Sequence, residues 1–215
     1  MKVRAFRKNH RKSTSYLLSG VSHLVAVIGG SFLLSFFAIL FISGLSLIEL
    51  MVIPVAILLA NFVEYAFHRW PMHSLVKPLK KMYRTHSGKH HRYFTHEYMN
   101  IECDKDMREV FATGTVVFSL IFFIVIPASL FSAFFFSLNV GLLMFATCMI
   151  YYGAYESIHF MAHLNDDHVL LKIPFMKAAK AHHQLHHNTR LMRSWNFNIG
   201  LPIMDILFKT YKKAI

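Results

Sequence analysis

Two long stretches of this chain carry no formal charge, and they decide what it can fold into. No Lys, Arg, Asp or Glu occurs from Ser13 to Ile48, only Glu49 interrupts before Glu64, and a second such run extends from Val110 to Tyr155. A helix needs about 20 predominantly apolar residues to cross a bilayer. Each region therefore has room for two crossings. Ser43-Gly44 offers a turn in the first, and Pro127 or the Ser137-Leu138-Asn139 stretch a break in the second. The sequence predicts an all-α integral membrane protein with four transmembrane helices in two hairpins, at about 17–42, 46–67, 111–132 and 138–158.

Composition supports this reading. Hydrophobic residues make up 55% of the 215, and charged residues only 16%, against about 25% charged in an average soluble domain. An ordinary soluble enzyme and a disordered chain are both excluded, and the length suits a single domain spanning 1–215. The two cysteines, Cys103 and Cys148, are too few for a disulfide scaffold or a four-cysteine zinc site. The basic start resembles a signal peptide. However, the apolar run exceeds the roughly 7–15 residues of a signal core and no small-x-small cleavage site closes it, so a retained first span is expected.

Orientation follows from the cations. Residues 1–12 hold 6 Lys/Arg, 68–109 hold 9 and the segment after His159 holds 8, which accounts for all 23 and leaves neither hairpin tip with any. With four spans these three segments share one face, and the positive-inside rule makes that face cytoplasmic. The basic tail 1–15, both termini and the regions 68–109 and 159–215 are thus expected on the cytoplasmic side. The net charge of +12 then reflects topology and attraction to anionic lipid headgroups, with no nucleic-acid partner.

Fifteen histidines are the chain's other anomaly, and ten of them fall in four clusters on that face. These are His68 with His73, His86 with His90 and His91, His159 with His163, and His183 with His186 and His187. Residues four apart share a helix face, as in His86/His90, His159/His163 and His183/His187; His186 extends the last of these faces. His68 and His73 are five apart, about 140° round an ideal helix. They converge only where the helix ends or distorts, and Pro71 lies between them. Inward-facing histidine pairs build metal sites in helical bundles. Ten imidazoles exceed the four ligands of a tetrahedral zinc, and two metals at five nitrogens each would use them. A nitrogen-rich dinuclear site beside a bilayer points to oxygen activation, for which iron is suited and zinc is not.

The four clusters in this order, with spans between the second and third, resemble the histidine boxes of the fatty acid hydroxylase / sterol desaturase superfamily. The stretch Asn196-Phe-Asn-Ile-Gly-Leu-Pro-Ile-Met-Asp205-Ile-Leu-Phe208-Lys-Thr210 is similar to that family's tail, from which Met204, Ile206 and Lys209 depart. The resemblance covers about residues 45–212. It implies four spans with a cytoplasmic helical cap carrying a dinuclear metal centre, ligated by His68, His73, His86, His90, His91, His159, His163, His183, His186 and His187. It further implies two iron ions, zinc being able to occupy the sites in purified protein, with O2 as co-substrate. The reaction implied is hydroxylation or desaturation of a fatty acyl, sterol or isoprenoid-type lipid drawn from the bilayer.

Metal-bound histidines pass their second N–H to an acceptor. Glu64 precedes His68 by one turn and Glu156 precedes His159 by three residues, so both are candidate supporting acceptors. Asp166 and Asp167 read as loop charges, Asp205 as a structural anchor and Glu49 as a marker of the outer interface. His10 and His23 read as structural or solvated; the roles of His96, His168 and His182 stay open. Phe36-Phe37 and Phe134 to Phe136 read as lipid-facing, while Trp70 and Tyr83 suit either a substrate channel or an interfacial belt. There is no Gly-x-Gly-x-x-Gly and no cysteine pattern for an iron–sulfur cluster. Electrons are therefore expected from an external donor, a ferredoxin or a cytochrome b-type carrier with its reductase, steered by the cationic face. The competing reading is a histidine-rich metal-binding or transport protein. It would place ionisable ligands at the middle of the spans, where this chain has almost none.

Overall fold

The computed structural model describes residues 2–14 and 19–213. Met1, residues 15–18 and residues 214–215 lie outside the described residues, so the expected start of the first span at residue 17 is not described. Helix dominates, and among the described residues the only β pairing is one isolated bridge, Thr95 with Tyr98. Four helices are long and apolar enough to cross a membrane: Gly20–Leu40, Leu47–Met72, Gly114–Phe135 and Leu138–Ala162. The chain divides into two compact units. Met1–Leu24, Asn61–Phe111 and Ser157–Ile215 form one, and Val25–Ala60 with Ala112–Glu156 the other.

The second unit is built as lipid-embedded helices must be. Its serines bond back along their own helices, Ser31 to the Val27 carbonyl, Ser129 to Val125 and Ser132 to Ala128. These serine hydroxyls thereby keep an acceptor in a solvent that offers none. Ser35 also donates across to the Ala146 carbonyl at 3.1 Å. Small residues let helices approach closely: a Cβ on Gly141 would stand 2.5 Å from the Ala133 Cβ, and one on Gly153 would meet Ser31 and Phe32. The phenylalanines at 36, 37 and 134–136 are exposed, as lipid-facing side chains would be.

The breaks between spans have local causes. Gly44, in the turn that follows the first span, sits at a φ of +59°, a left-handed conformation that glycine adopts freely. Asn139 donates to the Ser43 carbonyl, and Glu49 accepts from Ser137 and from the Ser46 amide, so the two turns are joined. Of the two candidate breaks in the second apolar region, the chain uses Ser137. Pro127 lies inside the third span, preceded by a wider π turn over Ile121–Val125. Such a turn relieves the clash between a proline ring and the carbonyl one turn back.

The first unit contains the N-terminal helix Lys2–Ser13, the ends of the second and fourth spans, the segment 73–111 and the C-terminal segment. The Asp104 carboxylate accepts from the amides of Gly20 and Val21, the free N–H groups that open the first span. The segment 195–210 is fixed to the second span through Asn61. That side chain donates to the Leu201 carbonyl and accepts from the Met204 amide, while Asn198 donates to the Asn61 carbonyl.

Candidate metal centre

The ten box histidines meet inside the first unit as two groups of five. One is His68, His73, His86, His91 and His186; the other is His90, His159, His163, His183 and His187. Within each group, one ring nitrogen per residue lies within 4.8 Å of all the others. The groups adjoin, with the His91 and His187 rings stacked at 4.2 Å between centroids. All ten are buried except His86, which is partly so.

Local backbone geometry explains this partition. The second span ends in a π turn over His68–Met72, containing Pro71, and a second π turn covers His86–His90. A π turn closes on residue i+5. Residues five apart, His68/His73 and His86/His91, therefore fall on one side and enter one group. The pairs four apart, His159/His163 and His183/His187, span the last turn of an α-helix and the residue that follows it, and enter the other. This differs from the expectation for two residues. His86 and His90 do not share a site, because the π turn displaces the four-residue face. His186 does not join His183, because at 100° per residue it stands about 100° from its neighbour His187. Consecutive residues 186 and 187 thus serve different groups, as do 90 and 91.

Main-chain carbonyls set the tautomers. The Nδ1–H of His68 donates to the Phe197 carbonyl, His90 to Glu109 at 2.7 Å and His163 to Met99 at 2.8 Å. His186 donates likewise to Trp195 at 2.9 Å, and His187 to Phe94 at 2.6 Å. A carbonyl only accepts, so each of these rings carries its proton on Nδ1. His73 follows by elimination: Ser87 gives its hydroxyl proton to the Met72 carbonyl and so accepts from His73 Nδ1. Burial keeps these rings uncharged. It pushes the His73 imidazole down to about 2 and His90 to about 4, and holds His86, His91, His163, His183, His186 and His187 well below the usual histidine value.

The other nitrogens consequently face one another as lone pairs. Nε2 of His73 lies 3.0 Å from Nε2 of His186, and Nε2 of His90 lies 3.2 Å from Nε2 of His187. With their protons on Nδ1, neither pair can form a hydrogen bond, and bare lone pairs at that distance repel. A cation between them removes the repulsion. Two nitrogens at about 2.1 Å from one ion stand roughly 3.0 Å apart at a right angle and 3.4 Å apart in a tetrahedron. The Nε2 separations, from 2.9 to 3.3 Å, match that range. The donor set fits a metal pair.

The sequence model of fatty acid hydroxylases matches residues 53–210. The chain belongs to the fatty acid hydroxylase family. All ten histidines and the tail fall within the segment that defines it as such a hydroxylase relative, while the N-terminal helix and the first span lie outside. A solved structure described as full-length Scs7p, with only the hydroxylase domain visible, matches with a TM-score of 0.61 at 19% identity. That match covers 88% of this chain and 65% of the other, so it establishes a shared fold and the chain spans just under two thirds of that protein. No curated protein matches this fatty acid hydroxylase family member by sequence.

The remaining candidates take up other positions. Glu64 accepts from the Ile199 amide at 2.6 Å and so fixes the segment whose carbonyls hold His68 and His186. Glu156 accepts from Tyr152 at 2.7 Å. His182 donates to the Asn198 carbonyl and stacks on Tyr211, and His96 donates to the Gln184 carbonyl; neither enters a group. His168 caps a short turn by accepting from the Leu170 amide. His10 meets the Glu109 carboxylate at 2.9 Å, and His23 is buried against Phe111. Ser87 and the carbonyls of 94, 99, 109, 195 and 197 take the Nδ1 protons of six rings and escape a reading by spacing, as does the buried Arg7, whose guanidinium donates to the Tyr93, Tyr98 and Asn100 carbonyls. A carbonyl carries no residue signature, and Arg7 reads in sequence as one of six similar tail cations.

Proposed function

We propose that this protein is a membrane-bound, O2-dependent lipid hydroxylase whose two histidine groups each hold one iron ion. The observation that carries the reading is the convergence of ring nitrogens in two adjoining five-histidine groups, with unprotonated Nε2 atoms facing each other in the pairs His73/His186 and His90/His187. His68, His73, His86, His91 and His186 would hold one ion, and His90, His159, His163, His183 and His187 the other. Bound iron would supply the redox chemistry that couples O2 and two external electrons to C–H oxidation, R–H + O2 + 2e⁻ + 2H⁺ giving R–OH + H2O. Zinc has no redox chemistry and could not serve.

The chain's own residues do the holding and the excluding. Five carbonyls and Ser87 fix His68, His73, His90, His163, His186 and His187 in the tautomer that presents Nε2, so at these six rings no proton must leave before a ligand bond forms. Burial keeps bulk water from the centre, which protects a reactive site from unproductive turnover. His68 and His159 stand in the last turns of the second and fourth spans, and this supports delivery of an acyl, sterol or isoprenoid-type chain from the bilayer. The partition of cations supports a cytoplasmic site and cytoplasmic termini beside anionic lipids. The same basic face suits an acidic electron carrier, a ferredoxin or a cytochrome b-type protein with its reductase.

Desaturation uses the same ligand chemistry and removes two hydrogens instead of inserting oxygen. Lipid extracts from cells with and without the gene, compared by mass spectrometry, test the reading. A lipid class gaining 16 mass units is the expected product. A loss of 2 would assign a desaturase, and unchanged lipids in cells that hold the iron-loaded protein and an electron donor would overturn both.

A further inference from the structure

The second histidine group is oriented by a short, irregular stretch of chain. The carbonyls that take the Nδ1 protons of His187, His163 and His90 belong to Phe94, Met99 and Glu109. Apart from the isolated Thr95–Tyr98 bridge, residues 94–103 form no regular structure. A loop of that kind does not hold carbonyls in place by itself, so something else must.

The holder is the N-terminal helix. Arg7 is 2% exposed. Its guanidinium donates to the carbonyls of Tyr93 at 2.7 Å, Tyr98 at 2.6 Å and Asn100 at 3.0 Å. These acceptors flank the ones the histidines use: 93 adjoins 94, and 98 and 100 bracket 99. Because successive peptide units are planar and covalently joined, fixing those three carbonyls fixes the two between them. The guanidinium also lies 4.9 Å from the Phe94 ring centroid. Arg11, one turn further, donates to Asp106 at 2.6 Å, and His10 meets the Glu109 side chain. Burying a guanidinium costs free energy unless every face is satisfied, and its planar fork of donors suits three carbonyls in a way that a lysine cannot.

The first group is held differently. Its carbonyls come from Trp195 and Phe197, in the segment anchored by Asp205, which accepts from the Phe197 and Asn198 amides and from Thr210. We propose that Arg7, on a helix outside the family-matched segment, is a positioning residue for the second histidine group alone, setting that group's metal affinity through the 93–100 carbonyls. The two groups then have separate supports and can be loosened one at a time.

The inference rests on the metal reading above, and the test separates the two. Two full-length parent chains are used: one lacks the first group (His73→Ala with His186→Ala), the other lacks the second (His163→Ala with His187→Ala). Each is titrated anaerobically with cobalt(II), followed by its visible absorption. Arg7→Met in the first parent is expected to weaken cobalt binding by about 10–100-fold, as loss of an outer-sphere partner does. In the second parent it is expected to leave binding unchanged. Arg7→Lys, which keeps the charge and offers fewer donors, should fall between wild type and Met in the first parent and keep the fold if Met does not. Equal weakening in both parents, or none in the first, overturns the proposal. Failure of both parents to bind cobalt at all refutes the metal reading itself.

Discussion

Alanine in place of His91, His163 or His187 is expected to abolish lipid oxidation while the protein still inserts into membranes. Each substitution removes one converging nitrogen, His91 from the first group and His163 and His187 from the second. Loss of an outer-sphere partner alone costs about 10–100-fold in metal affinity or activity, so loss of a direct ligand should cost at least that. Insertion depends on helix packing and internally satisfied backbone bonds. Those contacts sit in the other unit, where Gly141, Gly153 and Ser35 bring helices together. His168→Ala is the matched control, because its ring only caps a surface turn. His10 is unsuitable as a control since it meets Glu109, whose carbonyl orients His90. Product formation and the yield of membrane-extracted protein are the two readouts. Full activity in all three box variants would remove the groups from the chemistry.

Asp205→Ala should be the most damaging change outside the ligands. The carboxylate is fully buried and accepts from the Phe197 amide at 3.0 Å, the Asn198 amide at 2.7 Å and the Thr210 hydroxyl at 2.7 Å. Its removal leaves the two buried amides without an acceptor, at about 1–3 kcal/mol each, and the Thr210 hydroxyl with only long contacts to the Tyr65 hydroxyl at 3.4 Å and the 205 carbonyl at 3.5 Å. It also frees the segment whose carbonyls orient His68 and His186. The expected result is a lower unfolding temperature together with loss of metal from the first group while the second retains its own. Asp205→Asn, which keeps an acceptor oxygen, should restore part of both. Unchanged thermal stability in the alanine variant would mean that the anchor is not where the tail derives its order.

The large features of this molecule were legible because they rest on signals that survive in a bare sequence. Charge-free runs mark spans without reference to tertiary structure, and Ser43-Gly44 and Ser137 mark their breaks. Ten histidines in four clusters indicate a site whatever their exact facing. What spacing alone could not supply was the partition. An α-helical wheel places His86 with His90 and His186 with His183, and it is two π turns and one helical register that separate them. The spacing of five in His68/His73 and again in His86/His91 was the available clue. A residue pair that cannot share an α face, repeated twice, is itself evidence for a wider turn. The supporting shell was least legible. Carboxylates at 64 and 156 drew attention because carboxylates carry a side-chain signature, whereas the acceptors on five Nδ1 atoms are main-chain carbonyls from distant positions. Arg7 shows in the sequence only as one cation of the basic tail, and its buried hydrogen bonds to residues more than 80 positions away have no local trace.

Two adjoining groups of five histidines in one chain should hold two metal ions, and metal content tests this most directly. Protein purified without oxygen, stripped with chelator and reconstituted with ferrous iron should contain two iron ions per chain after removal of the excess. A content of one ion or none per chain, in protein that retains its helical content, would contradict the account.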